Sequence, residues 1–224
     1  MFIEGKLLER PLRWTMVGGG KGSQIGHSHR DAAKRDGLMS LVAGAFDVDA
    51  ARGREFGVSL GVAAERCYAD YKAMFAAEAK RADGIEVVSI ATPNSSHFEI
   101  CRAALEAGLH VICEKPLTID EAEAETLRDL AKARGRVLAV MYGYTGYEMV
   151  QQARAMVQKG ELGEVRIVQM QFAHGYHPVD VESKDPGTKW RVTTASSWLT
   201  YVIGDLGTHC FQMGSLMAGL KVDS

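Results

Sequence analysis

The chain has 224 residues, 46% hydrophobic and 24% charged, with a formal net charge of -2. A sequence of that length and balance buries about 70% of its unfolded surface, and its interspersed charges exclude the basic footprint of a nucleic-acid or anionic-membrane binder. No run approaches the roughly 20 apolar residues of a membrane span, and Glu4, Lys6, Glu9 and Arg10 put charges where a signal peptide keeps its apolar stretch, so the expected compartment is cytoplasmic.

Cys67, Cys101, Cys113 and Cys210 show no CxxC spacing and read as reduced, packed thiols. His27-x-His29 and His174-x-x-His177 are conceivable metal pairs. Neither has a third ligand at suitable spacing, so no metal is expected.

In chain order, residues 13–17 form a short β-prone run, followed by Gly18, Gly19, Gly20, Gly22 and Gly26 and then no glycine until Gly37. Residues 25–34 are helix-prone. The glycines therefore read as a turn between a buried strand and the first turn of a helix, where bare backbone can approach a ligand phosphate. Gly18-x-Gly20 opens a dinucleotide fingerprint, Ser23 takes the place of the next small residue, and Gly26 is the expected helix-packing glycine. The spacing is irregular, and taken alone it fits a flexible surface loop equally well.

Residues 38–46 read as a buried strand and 49–61 as a short helix. A second helix over 69–82 is entered through Asp70 as a cap, and a β-branched strand over 85–92 stops at Pro93. A helix over 95–108 ends at Gly108; strand 110–114 follows. A helix over 118–135 has Thr118 or Asp120 as its cap and Gly135 as its stop, and strand 136–143 closes the series. Apolar strands alternating with helices indicate α/β architecture, a doubly wound parallel sheet buried on both faces. In that context the glycine turn follows the first strand of such a sheet, and dinucleotide binding becomes its expected role. Asp47 stands at the end of the second strand. A carboxylate there accepts both adenosine ribose hydroxyls of NAD and repels the 2′-phosphate of NADP, so NAD is the expected cofactor, with NADP disfavoured. The alternative is that Asp47 or Asp49 caps the next helix; ribose is assigned to Asp47 and the cap to Asp49.

Beyond Tyr142 the texture changes. Residues 146–163 suggest an amphipathic helix, 164–174 a half-exposed antiparallel strand, 175–197 a long polar loop, and 198–220 an apolar helix with a polar insertion. Loops as long as 175–197 in compact proteins tend to be functional or disordered. The expected division is a dinucleotide-binding domain over 1–143 and a second, α+β domain over 144–224.

Three stretches carry candidate chemistry: ATPNSSH (91–97), EKPL (114–117) and GDLGTH (204–209). The first two lie at the carboxyl ends of parallel strands, where open α/β sheets bind ligands, and this sends Lys115 toward the crevice. Asp205 and His209 are four apart on an expected helix and face the same way. An exposed ion pair is the alternative, although Val202, Ile203, Cys210 and Phe211 make apolar flanks.

Taken together in order, the glycine turn with IGHSHR, Asp47, TPNSSH, EKPL, KGELGEVR and GDLGTH resemble the Gfo/Idh/MocA oxidoreductases, from Trp14 to about Leu220. That resemblance implies a Rossmann domain followed by an α+β domain whose open sheet often makes oligomer contacts, hence a homo-oligomer. It implies catalytic roles for Lys115, beside nicotinamide and the substrate oxygen, and for Asp205 and His209, which hold the substrate and take its hydroxyl proton. Cofactor contacts are assigned to Gly18, Gly20, Gly22, Ser23, Gln24, Ile25, Asp47, Thr92, Pro93, Asn94, His97, Glu114 and Lys115. The implied reaction moves a hydride between NAD and a secondary alcohol of a small-molecule sugar, polyol or cyclitol. Two departures stand out. Bulky Trp198, Tyr201 and Ile203 occupy places where relatives usually carry small residues, and relatives are longer. The chain is thus expected to be either a fragment or a shortened member that covers an open sheet edge by association. A silent NAD-binding module and a purely structural partner are the rival readings. Tyr142 and Trp190 are expected pocket walls.

Overall fold

The computed structural model describes residues 2–3, 6–7, 9–35, 37–173 and 202–220. It divides into two compact units, Met1–Val140 and Met141–Ser224.

In the first unit, β1 (Phe2–Ile3) and β2 (Lys6–Leu7) pair as a short antiparallel ribbon. The main sheet contains β3 (Leu12–Gly18), β4 (Met39–Ala45), β5 (Val87–Ala91), β6 (His110–Glu114) and β7 (Leu138–Met141) in the order β4-β3-β5-β6-β7. The β3–β4, β3–β5 and β5–β6 ladders are parallel. An isolated parallel bridge from Gly44 to Cys67 adds a vestigial strand outside β4. With that bridge counted, the spatial order is the 3-2-1-4-5-6 of dinucleotide-binding folds. The helices are α1 (Gln24–Arg35), α2 (Ala50–Ser59), α3 (Tyr71–Glu78), α4 (His97–Glu106) and α5 (Glu121–Ala133).

Local chemistry accounts for most helix starts. The carboxylates of Asp49, Asp70 and Asp120 each accept a backbone N–H from the first turn of α2, α3 and α5, satisfying donors that a helix start leaves unpaired. Ser23 does the same for α1, its Oγ accepting from Gly26 N at 3.1 Å. Alternation along β3 sends Trp14 and Met16 into one core cluster and Val17 into another, so both faces of the sheet are covered. Trp14 Nε1 donates to Ser89 Oγ at 2.9 Å and Thr15 Oγ1 donates to the Ala43 carbonyl at 2.8 Å, which satisfies polar atoms inside this core. Arg66 is buried on Glu78, with its Nε 3.0 Å from Oε1, and Tyr68 donates its hydroxyl to the same carboxylate at 2.8 Å. Burial and that carboxylate push the Tyr68 hydroxyl up to about 12.

The second unit contains α6 (Glu148–Gln158), a single π-helical turn at Ile203–Gly207 and α7 (Thr208–Ala218), closed by Gly219 at φ 68°. Two expectations change. Residues 164–173 are not a strand: among the described residues none pairs with them, and a strand exists only through a ladder partner. The expected helix over 198–220 is a π-turn followed by an α-helix across its described part. The polar loop at 175–197, with His174, His177, Trp190, Trp198 and Tyr201, lies outside the described residues.

Candidate functional site

The order of the sheet reverses between β3 and β5, the position at which open α/β sheets leave a ligand crevice beyond their carboxyl ends. The glycine loop sits there. Gly18, at φ 75°, allows no side chain: a Cβ on it would stand 2.5 Å from the Ala91 carbonyl oxygen. A Cβ on Gly26 would stand 2.4 Å from the Gly19 carbonyl, so α1 packs directly onto the loop, as the sequence led us to expect of this glycine. Gly20 meets Phe46 at the end of β4, whereas a Cβ on Gly22 would meet nothing within 4 Å. The loop is therefore tightly seated on one side and open on the other. Ser23 caps α1 and Gln24 and Ile25 begin it, and the first turn of a helix offers backbone N–H groups to an anion. This cradle fits the pyrophosphate of a dinucleotide.

Asp47 follows β4. Its Oδ1 accepts from Asp49 N at 2.9 Å and from Arg52 Nη2 at 2.8 Å. Arg52, with help from the Asp49 N–H, holds the Asp47 carboxyl below the usual carboxylate range, so it stays ionised. Asp49 accepts from Ala51 N and Arg52 N, both at 3.0 Å, which gives the cap to Asp49 and leaves Asp47 as the remaining strand-end carboxylate.

Beyond β5, Thr92, Pro93 and Asn94 lead into α4. Ser96 Oγ donates to Thr92 Oγ1 at 2.7 Å, which stiffens this turn. His97 is wholly buried; its Nδ1 is 2.9 Å from the Pro116 carbonyl oxygen and its Nε2 is 3.0 Å from that of Thr92. It is a staple joining the turn after β5 to the turn after β6. Burial pushes its pKa down against the pull of the two carbonyls, and a neutral ring donates to only one of them at a time.

Glu114 ends β6. Its Oε1 lies 2.9 Å from His29 Nε2 of α1, and its Oε2 accepts from Lys115 N at 3.3 Å. Lys115 is thus placed at a strand end between two anchored neighbours, Glu114 held by His29 and Pro116 held by His97. His27, the other half of the candidate metal pair, instead lies 3.3 Å from Asp31 on the surface. Among the described residues, no three metal-ligating side chains gather.

In the second unit His209 is buried at the start of α7 within an aromatic enclosure. Its ring centroid lies 4.7 Å from Tyr144, 5.7 Å from Tyr142 and 6.2 Å from Phe172. Burial raises the Tyr142 hydroxyl above its usual range. Asp205 stands in the π-turn one helical turn before His209. Ile203, one of the bulky residues in this motif, is 68% exposed.

Sequence reasoning did not assign the contacts that His29, Arg30, Arg52, Tyr144 and Phe172 make. A signal existed for the first two: they lie three and four residues after Gly26, on the helix face that this glycine presses against the loop.

Residues 12–142 match the oxidoreductase family GFO_IDH_MocA, described by its NAD-binding Rossmann fold. The chain belongs to that Gfo/Idh/MocA family, and NAD is the nucleotide its Rossmann fold binds. Residues 150–224 match a GFO/IDH/MocA C-terminal domain. The uncharacterized oxidoreductase YfiI of Bacillus subtilis is 52% identical over 220 residues, covering 97% of this chain and 56% of that protein. An inositol dehydrogenase homolog from Azotobacter vinelandii, solved with NAD+, is 56% identical with a TM-score of 0.92, covering 98% of this chain and 56% of that one. The same homolog with NADH and myo-inositol is 57% identical, TM-score 0.87, covering 94% and 53%. The chain spans about half the length of these relatives. Among the described residues no helix is long and apolar enough to cross a membrane.

Proposed function

We propose that this chain is an NAD-dependent dehydrogenase acting on a secondary alcohol of an inositol, sugar or related polyol. The observation that carries the reading is the 57% identity, over 94% of this chain, to a protein solved with NADH and myo-inositol. The seated glycine loop supports it, being tight against Ala91 and open at Gly22. NAD+, when bound, supplies the hydride acceptor. Gly18, Gly20, Gly22 and the start of α1 hold the pyrophosphate, Asp47 takes the adenosine ribose, and Thr92, Pro93 and Asn94 form the opposing wall. His209 accepts the substrate hydroxyl proton, Asp205 orients the substrate, and the Lys115 ammonium stabilises negative charge on the oxygen as the carbinol becomes a ketone. The alcohol loses one hydride and one proton in all.

The test is NADH formation with a panel of inositols and sugars. Turnover of at least one member is expected. NAD binding without turnover across the panel overturns the enzyme reading in favour of a silent NAD-binding module, and absence of binding leaves only a structural role. We also propose that the chain self-associates: Met149, Ile167 and Phe211 of the second unit expose large apolar side chains, which favour association. Light scattering that shows a stable monomer rejects this.

A further inference from the structure

We propose that Arg30 is a cofactor-affinity residue: it fixes the glycine loop from beneath and supplies the positive charge that the cofactor's pyrophosphate neutralises. This rests on the reading that the loop receives NAD. Arg30 lies in the second turn of α1 and is only 7% exposed. Its Nη1 donates to the Gly19 carbonyl at 2.6 Å, and its guanidinium carbon sits 5.0 Å from the centre of the Phe56 ring. Gly19 N in turn donates to the Ala91 carbonyl at 3.1 Å. Gly19 is therefore held through both of its peptides, the preceding one by the sheet through the Gly19 N–H and the following one by Arg30 through the Gly19 oxygen. Because a peptide is planar, the Arg30 bond to the Gly19 carbonyl also sets the direction of the Gly20 N–H in the same plane.

The charge is the second half of the argument. Among the described residues Arg30 forms no ion pair, and the only carboxylate acting on it is its exposed chain neighbour Asp31. A buried guanidinium remains protonated, and keeping it without a counter-charge is costly. Phe56 and the Gly19 carbonyl offset part of that cost through a cation–π contact and a charge-assisted hydrogen bond. The remainder is relieved when a dianionic pyrophosphate settles on the loop above. A merely structural arginine at this depth would sit on a carboxylate, as Arg66 does on Glu78.

The experiment titrates NAD+ and adenosine against the chain and its Arg30→Met and Arg30→Lys variants, at low and at raised salt. Arg30→Met is expected to weaken NAD+ about tenfold at low salt and to flatten the salt dependence, with adenosine unaffected because it carries no phosphate. Arg30→Lys, which keeps the charge, is expected to recover most of the loss. Equal weakening of NAD+ and adenosine, or no weakening of either, overturns the proposal. A wild-type measurement covers the case in which Arg30→Met fails to fold: the guanidinium NMR signals of Arg30 should move with ADP-ribose and stay put with adenosine. Identical movement with both ligands, or none with either, rejects the idea. A chain that binds no NAD+ sinks this inference and the cofactor reading together, whereas unchanged NAD+ affinity in Arg30→Met sinks this inference alone.

Discussion

His29 on the first helix and Glu114 at the end of β6 are 85 residues apart in sequence, and their side chains meet at 2.9 Å with almost no solvent access. The contact ties the helix that begins at the glycine loop to the strand that presents Lys115. Replacing His29 by Leu leaves the Glu114 carboxylate short of a donor in a site where its side chain is 12% exposed. The expected loss of stability is about 1–3 kcal/mol, read from the urea midpoint. His29→Gln, which keeps an N–H donor, should restore part of it. Unchanged midpoints in His29→Leu would remove any stabilising role from the pair.

On cofactor choice, Asp47→Ala should narrow the preference for NAD over NADP. Two changes act in the same direction: the carboxylate we assign to the ribose hydroxyls is lost, and Arg52, now 2.8 Å from Asp47, is released from that ion pair and becomes available to a 2′-phosphate. Competitive titration of the two nucleotides measures the ratio. A wild type that binds NADP more tightly than NAD shows the assignment of Asp47 to be wrong.

On catalysis, Lys115→Ala should lower turnover about 10²-fold or more, as for loss of a group that stabilises an oxyanion, with little change in NAD affinity. His209→Ala should lose about 10²–10⁴-fold, and its residual rate should climb with pH, since hydroxide can replace a missing base but not a missing ammonium. Steady-state rates across a pH series test both. Near-normal turnover with Ala at both positions rejects the Lys115/His209 mechanism.

On acid stability, Glu86 accepts from both Arg10 Nη atoms at 2.8 Å and from Arg13 N at 2.9 Å, and these bonds hold its carboxyl at about 2. A depressed carboxylate pKa stabilises the fold at pH values above the unfolded pKa of about 4.3. That contribution fades as pH falls toward the folded value of about 2. The pair is partly exposed, so the effect is modest and weakens with salt. Glu86→Gln should lower the melting temperature at neutral pH and flatten its decline in acid. Parallel curves for the two proteins would mean the ion pair contributes nothing.

The features legible in the chain are those decided within a few residues. Asp49 and Asp70 are readable as caps, and Asp120 as one of two candidates beside Thr118, because each carboxylate reaches only two or three residues ahead. Gly26 was readable because a small residue at that spacing lets a helix close on a strand-end turn. Alternation of apolar strands with helices gave the parallel sheet for the same reason: periodicity reports which faces are buried. Other features depended on which strands became neighbours. The Cys67 strand shrinks to a bridge on Gly44, His97 joins the turn after β5 to the turn after β6, and Arg30 reaches the Gly19 carbonyl of the loop. His29 finds Glu114 only because β6 lies beyond β5, on the far side of the reversal from β4. Spacing along a chain sets the face on which a side chain emerges, but its partner across the fold is chosen by sheet order and by the demand that buried charge and buried donors be met.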